Sequence, residues 1–100
     1  MPPSAAPDGA GFDLDRPWAV HPQVALRPER FGALAYHFGT RRLSFLKSRT
    51  LLAVVEGLAS HPSGRAACVA AGVRDADLPA YRRALATLAA SGLIRQRSRP

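Results

Sequence analysis

The sequence predicts an α+β domain in which a three-stranded antiparallel meander is followed by three helices. Three observations carry this. Residues 24–47 hold short runs of alternating side chains broken by Pro28-Glu29-Arg30 and Gly39-Thr40, a two-residue rhythm that belongs to strands. From Leu51 onward the apolar spacing changes to three and four, which belongs to helices. One hundred residues, 47% of them apolar, suffice for one modest core and not for a deep cleft.

The first eleven residues, rich in Pro, Ala and Gly, read as a disordered tail, and the folded part is expected to begin at Phe12. Trp18 is expected to pin the start of the chain to the core. Val24 to Arg27, between Pro22 and Pro28, forms the first strand of the meander. The stretch from Phe31 to Lys47 then reads as a hairpin. With Gly39-Thr40 as a two-residue turn, Tyr36 pairs with Leu43 and Leu34 with Phe45. That register puts these four large residues on one face, expected to be the core side. Ala33, Ala35, His37, Arg42, Ser44 and Leu46 share the other, expected to face water. The third strand, Leu43 to Lys47, lies at an edge of the meander.

Ser48 or Thr50 is placed to cap a first helix carrying Leu51, Leu52, Val55 and Leu58, which ends before Pro62. A shorter helix spans about Ser63 to Ala71, with Gly72 as its left-handed stop and Val73 returning to the core. Asp77-Leu78-Pro79 opens a third, whose Leu78, Tyr81, Leu85 and Leu88 lie on one face, and Ser91-Gly92 closes it. Leu93-Ile94-Arg95 reads as a short last strand. Three helices in this order have the pattern of a winged-helix domain.

Charge and chemistry narrow the function. Residues 1–29 sum to −2 and residues 30–100 to +9, so the partner is expected to be acidic. Arg41, Arg42, Lys47 and Arg49 flank or occupy the edge strand with no acid among them. The three histidines lack carboxylates or cysteines at ligand spacing, and no metal or other cofactor is expected. Cys68, the one cysteine, reads as a small core residue. Asp13 and Asp15 read as salt-bridge or turn residues. There is no phosphate-binding glycine loop and no nucleophile elbow, so the chain is not expected to be an enzyme. No apolar run reaches membrane-spanning length, and a cytoplasmic location is expected. DNA binding is the competing function for a winged helix. Arg82 and Arg83 suit it, but the rest of the third helix, Ala84-Leu-Ala-Thr-Leu-Ala-Ala90, offers little to base edges, and no room is seen for a wing.

His21-Pro-Gln-Val-Ala-Leu-Arg-Pro-Glu-Arg-Phe-Gly-Ala-Leu-Ala-Tyr-His-Phe-Gly-Thr-Arg-Arg-Leu-Ser-Phe-Leu-Lys47 closely resembles the mycofactocin-system peptide chaperones, relatives of the peptide-binding chaperone of pyrroloquinoline quinone biosynthesis. The resemblance continues through Arg65 to Val73 and Ala84 to Gly92, and covers about residues 12–94. It implies a winged-helix-like recognition element for a ribosomally made, post-translationally modified peptide, occupying residues 12–95 between the N-terminal tail and a basic tail, 96–100. In such domains the leader segment of the precursor peptide adds to the third strand and lies against the third helix. Carried onto this chain, the resemblance implies a peptide site at Arg42, Leu43, Ser44, Phe45, Leu46 and Lys47, walled by Tyr81, Arg82, Leu85 and Leu88. It also implies a partner radical S-adenosylmethionine maturase that holds the iron–sulfur chemistry, and neither nucleic acid nor membrane as partner.

Overall fold

The computed structural model describes residues 12–97, so the expected N-terminal tail, 1–11, and the last three residues of the basic tail lie outside the described residues. Five strands and three α-helices follow in order, with short 3-10 turns at Leu58–Ser60 and Asp75–Asp77: β1 (Trp18–Val20), β2 (Val24–Glu29), β3 (Gly32–His37), β4 (Arg42–Leu46), α1 (Arg49–Gly57), α2 (Gly64–Ala70), α3 (Leu78–Ala90) and β5 (Ile94–Gln96). The architecture is α+β, with the expected meander and three helices in a winged-helix-like order.

β2, β3 and β4 form an antiparallel sheet in that spatial order. Its hairpin register is the one expected, with Tyr36 opposite Leu43 and Leu34 opposite Phe45. The buried face is the opposite of the expected one. Ala33, Ala35, His37 and Leu46 turn inward and are buried, while Leu43 and Phe45 remain more than half exposed on the outer face. The reason is steric. α1 packs against β3 and β4 on the inner side, so Ala33 and Ala35 at the centre of β3 have room for no larger side chain, and the larger residues take the other side.

The turn also differs from the expected two-residue form. Phe38 to Arg41 form a four-residue loop in which the Arg41 amide donates to the His37 carbonyl at 2.7 Å. Arg41, not Gly39, carries the positive φ, 62°. The His37 ring replaces the missing turn geometry: its Nδ1 accepts from the Gly39 and Thr40 amides at 3.0 and 3.2 Å. Where β3 begins, Gly32 has φ 152°, and a Cβ there would lie 2.0 Å from the Leu46 carbonyl oxygen. Only glycine allows that crossing.

The helices start and stop for the expected reasons. Ser48 Oγ accepts from the Leu51 amide at the head of α1, and Ser63 Oγ from the Ala66 amide at the head of α2. Gly72 and Gly92 close α2 and α3 with φ 91° and 80°. Pro79 sits in the first turn of α3, and Val73 returns to the core.

A second, two-stranded sheet was not expected. β1 pairs with β5, bringing Trp18 opposite Gln96. Gln96, read as part of the basic tail, lies in this strand, and Arg97 donates from its backbone to Pro17 and from its side chain to the Trp18 carbonyl. Trp18 is buried as expected, stacked on Phe12 at 4.5 Å, with its indole N–H donating to the Asp13 carbonyl. The segment before β1 also completes α2, whose first amides, Gly64 and Arg65, donate to the carbonyls of Arg16 and Leu14. Asp15 pairs with Arg65 at 2.7 Å, which holds its carboxyl below the ordinary value, and Asp13 pairs with Arg16. Cys68 is fully buried in the core, as read, and burial pushes its thiol up.

Candidate peptide-binding edge

β4 is an edge strand. It bonds to β3 on one side, and among the described residues no strand pairs with its other side. The N-terminal segment, the obvious cover, runs instead along α2 and β5 from Phe12 to Val20. Alternate N–H and C=O groups of β4 therefore point outward with no strand to receive them.

Side chains alternate along this edge and divide the expected site into two groups. Ser44 and Leu46 turn toward the helices, the first half-buried and the second in the core. Leu43 and Phe45 point to the opposite face. They cannot floor a groove against α3, because the two faces of one strand look in opposite directions. Lys47, just past the strand, is exposed and borders both sides.

On the helix side a depression of about 190 Å³ opens beside the end of β4, lined by Lys47, Ser48, Leu51, Ala80, Tyr81 and Ala84. Lys47 and Tyr81 are brought together here as expected. Leu85 and Leu88 are buried in the core beneath α3, so their side chains offer little surface. Arg82 lies away from this depression: its guanidinium donates to the Phe12 carbonyl at 3.4 Å, on the side of α3 that faces the N-terminal segment. Ala80, Ala84 and Leu51 were missed in the sequence. The signal for the alanines was present, since small residues four apart beside a tyrosine leave a recess on a helix. A larger depression of about 430 Å³ is lined by residues of the β1–β5 ribbon and Pro22 and touches neither β4 nor α3.

The electrostatics suit an acidic ligand. Arg41, Arg42, Lys47 and Arg49 are exposed, and no described carboxylate pairs with any of them. At the hairpin end, two of the three histidines are not scattered as the sequence suggested. The His21 and His37 rings lie 4.6 Å apart. Burial, then the neighbouring His37 and Arg95, hold His21 below its ordinary value. Among the described residues no three His, Cys, Asp or Glu side chains gather as a metal site would require, and no helix is long and apolar enough to cross a membrane.

The sequence pattern of the peptide chaperone MftB family matches residues 17–95. The peptide chaperone MftB of Mycobacterium ulcerans is 60% identical over 93 residues, covering 92% of this chain and 85% of its own. That of Mycobacterium tuberculosis is 60% identical over 87 residues, covering 87% and 80%. The Mycolicibacterium smegmatis protein is 55% identical over 83 residues, covering 83% and 81%. No solved structure matches the chain. With most of its length matched at this level of identity, the chain belongs to the peptide chaperone MftB family.

Proposed function

We propose that this chain binds the leader segment of the mycofactocin precursor peptide by strand addition to β4 and presents the peptide to a radical S-adenosylmethionine maturase. It acts as a carrier; the chemistry belongs to the maturase. The observation that carries this reading is the open β4 edge beside an apolar recess on α3. The family name, peptide chaperone, supports it.

The division of labour follows from magnitudes. About five backbone hydrogen bonds at roughly 1 kcal/mol net each supply about 5 kcal/mol. Micromolar affinity needs about 8 kcal/mol, and ordering a flexible peptide costs several more. Strand addition alone is insufficient. One or two aliphatic leader side chains, each contributing about 1.5–3 kcal/mol on burial, make up much of the difference. The recess between Leu51, Tyr81 and Ala84 has room for about one of them. Arg42 and Lys47 steer and orient an acidic leader at the two ends of the strand. In this reading Ser44 borders the inward-facing leader residues, Leu43 and Phe45 the outward-facing ones, and Leu46, Leu85 and Leu88 support the recess from below. Arg82 acts through the Phe12 contact rather than on the peptide.

Calorimetric titration of the leader peptide into Ala84→Phe tests the recess. Filling it should weaken binding at least 10-fold while the protein stays folded. Unchanged affinity would remove the recess from the site.

A further inference from the structure

The outer face of the sheet carries apolar surface of which the leader site uses only Leu43 and Phe45. Five large hydrophobic residues are exposed among the described residues, and four of them, Phe31, Phe38, Leu43 and Phe45, are on this face or its rim. They are organised. Phe31 meets Phe45 edge-on at 6.0 Å, and Phe38 meets Tyr36 edge-on at 5.1 Å. A contiguous patch of this kind on a small domain marks an interaction surface more often than chance exposure.

The charges around the patch say what covers it. Arg27 lies opposite Leu34 on the same face, Arg41 stands at the hairpin end, and Lys47 borders Phe31 and Phe45 at the other. The one carboxylate bordering the patch there, Glu29, is already held by Arg27 at 2.9 Å. A second copy placed face to face would bring these cations against themselves, and like charges across an interface oppose association. A leader strand is the wrong shape. Lying beside β4 in the plane of the sheet, it would sit about 5 Å from β4 but about 15 Å from β2, so it reaches Leu43 and Phe45 and leaves Phe31, Tyr36 and Phe38 open. The occupant must span three strands and bring acid.

We propose that this outer face is the surface that docks on the maturase, receiving a folded patch of apolar side chains ringed by carboxylates. The inference rests on the reading that the chain hands its peptide to a second enzyme. It gives β4 two roles: its outer edge receives the leader, and its outer side chains, with those of β3, meet the enzyme. The leader strand, once added, extends the same face, so the enzyme meets carrier and peptide side by side.

The test uses Phe31→Ser with Phe38→Ser, and Arg27→Glu as a second variant, none of them in the leader site. Each is titrated with leader peptide and, separately, with purified maturase in the presence and absence of that peptide. Sedimentation velocity follows the carrier alone. The double variant should bind leader within twofold of wild type and maturase at least 10-fold more weakly. Arg27→Glu should bind maturase about 3-fold more weakly at low salt, with the loss shrinking at high salt. Unchanged maturase affinity in both variants would overturn the proposal. So would equal loss of leader and maturase binding in folded variants, which would assign the face to the peptide, or a wild-type dimer that the double variant dissolves. If wild type binds no leader at all, the leader reading fails while the maturase titration without peptide still reports on this face.

Discussion

The two faces of the β2–β3–β4 sheet reverse the usual distribution of side chains. The inner face is built from Ala33, Ala35, His37 and Leu46 and is closed against the helices; the outer face carries Leu34, Tyr36, Leu43 and Phe45 and is open. Residue size therefore does not say which face is core. Close approach of α1 admits only small side chains at Ala33 and Ala35, and the larger residues of the hairpin stand on the outer side.

The difference can be broken hardest at Gly32. Gly32→Ala would press a methyl group onto the Leu46 carbonyl at a positive φ, and urea unfolding should show a loss of about 3 kcal/mol or more. Next is the inner face itself. Ala35 is 1% exposed and has only a void of about 10 Å³ beside it, so Ala35→Leu should cost about 1–3 kcal/mol. The matched change on the outer face, Leu43→Ser, should move stability by no more than about 0.5 kcal/mol. Equal costs at the two positions would contradict the assignment of faces.

Smaller effects sharpen the same contrast. Arg42→Glu should leave stability unchanged and weaken leader binding several-fold at low salt, less at high salt. Titrations at two ionic strengths check this. The smallest effect is a pH dependence at the hairpin end, where His21 rests on the inward-turned His37. Because His21 is held below its ordinary value of 6.5, the folded chain takes up that proton less readily than the unfolded chain. Its contribution to stability is complete above about pH 6.5 and declines as the pH falls through and below it. Asp15, shifted down by Arg65, contributes above its ordinary 3.8 and loses that contribution only in stronger acid. Melting temperature should thus fall between pH 7 and 5, and His21→Gln should flatten the slope.

What could be read from the chain was local. Ser48, Ser63, Gly72 and Gly92 mark helix ends because caps and left-handed stops depend on one residue and its neighbours. The hairpin register was legible because the loop is centred on Gly39-Thr40, and that centre sets Tyr36 opposite Leu43 and Leu34 opposite Phe45 whether the loop has two residues or four. The face it buries was not, since the two-residue period is the same viewed from either side. The pairing of Trp18 with Gln96 is invisible locally, because strands of three residues exist only through the contact they make across the whole chain. Gly39 suggested a tight turn that the His37 ring actually organises. Of the residues that line the recess on α3, the sequence pointed to Lys47 and Tyr81 and not to Ala80 and Ala84, because a recess is defined by missing atoms.

The central claim is that a peptide strand adds to the outer edge of β4 while the opposite edge of the sheet stays free. Backbone-amide NMR of labelled protein, titrated with the precursor's leader peptide and with duplex DNA as a control, tests it most directly. Saturable shifts along Arg42 to Leu46 and at Tyr81 and Ala84, with exchange slowed at alternate amides of β4 and unchanged along Val24 to Glu29, are the predicted result. Shifts confined to β2, or silence with the leader and movement of Arg82, Arg83 and Arg95 with DNA, would contradict it.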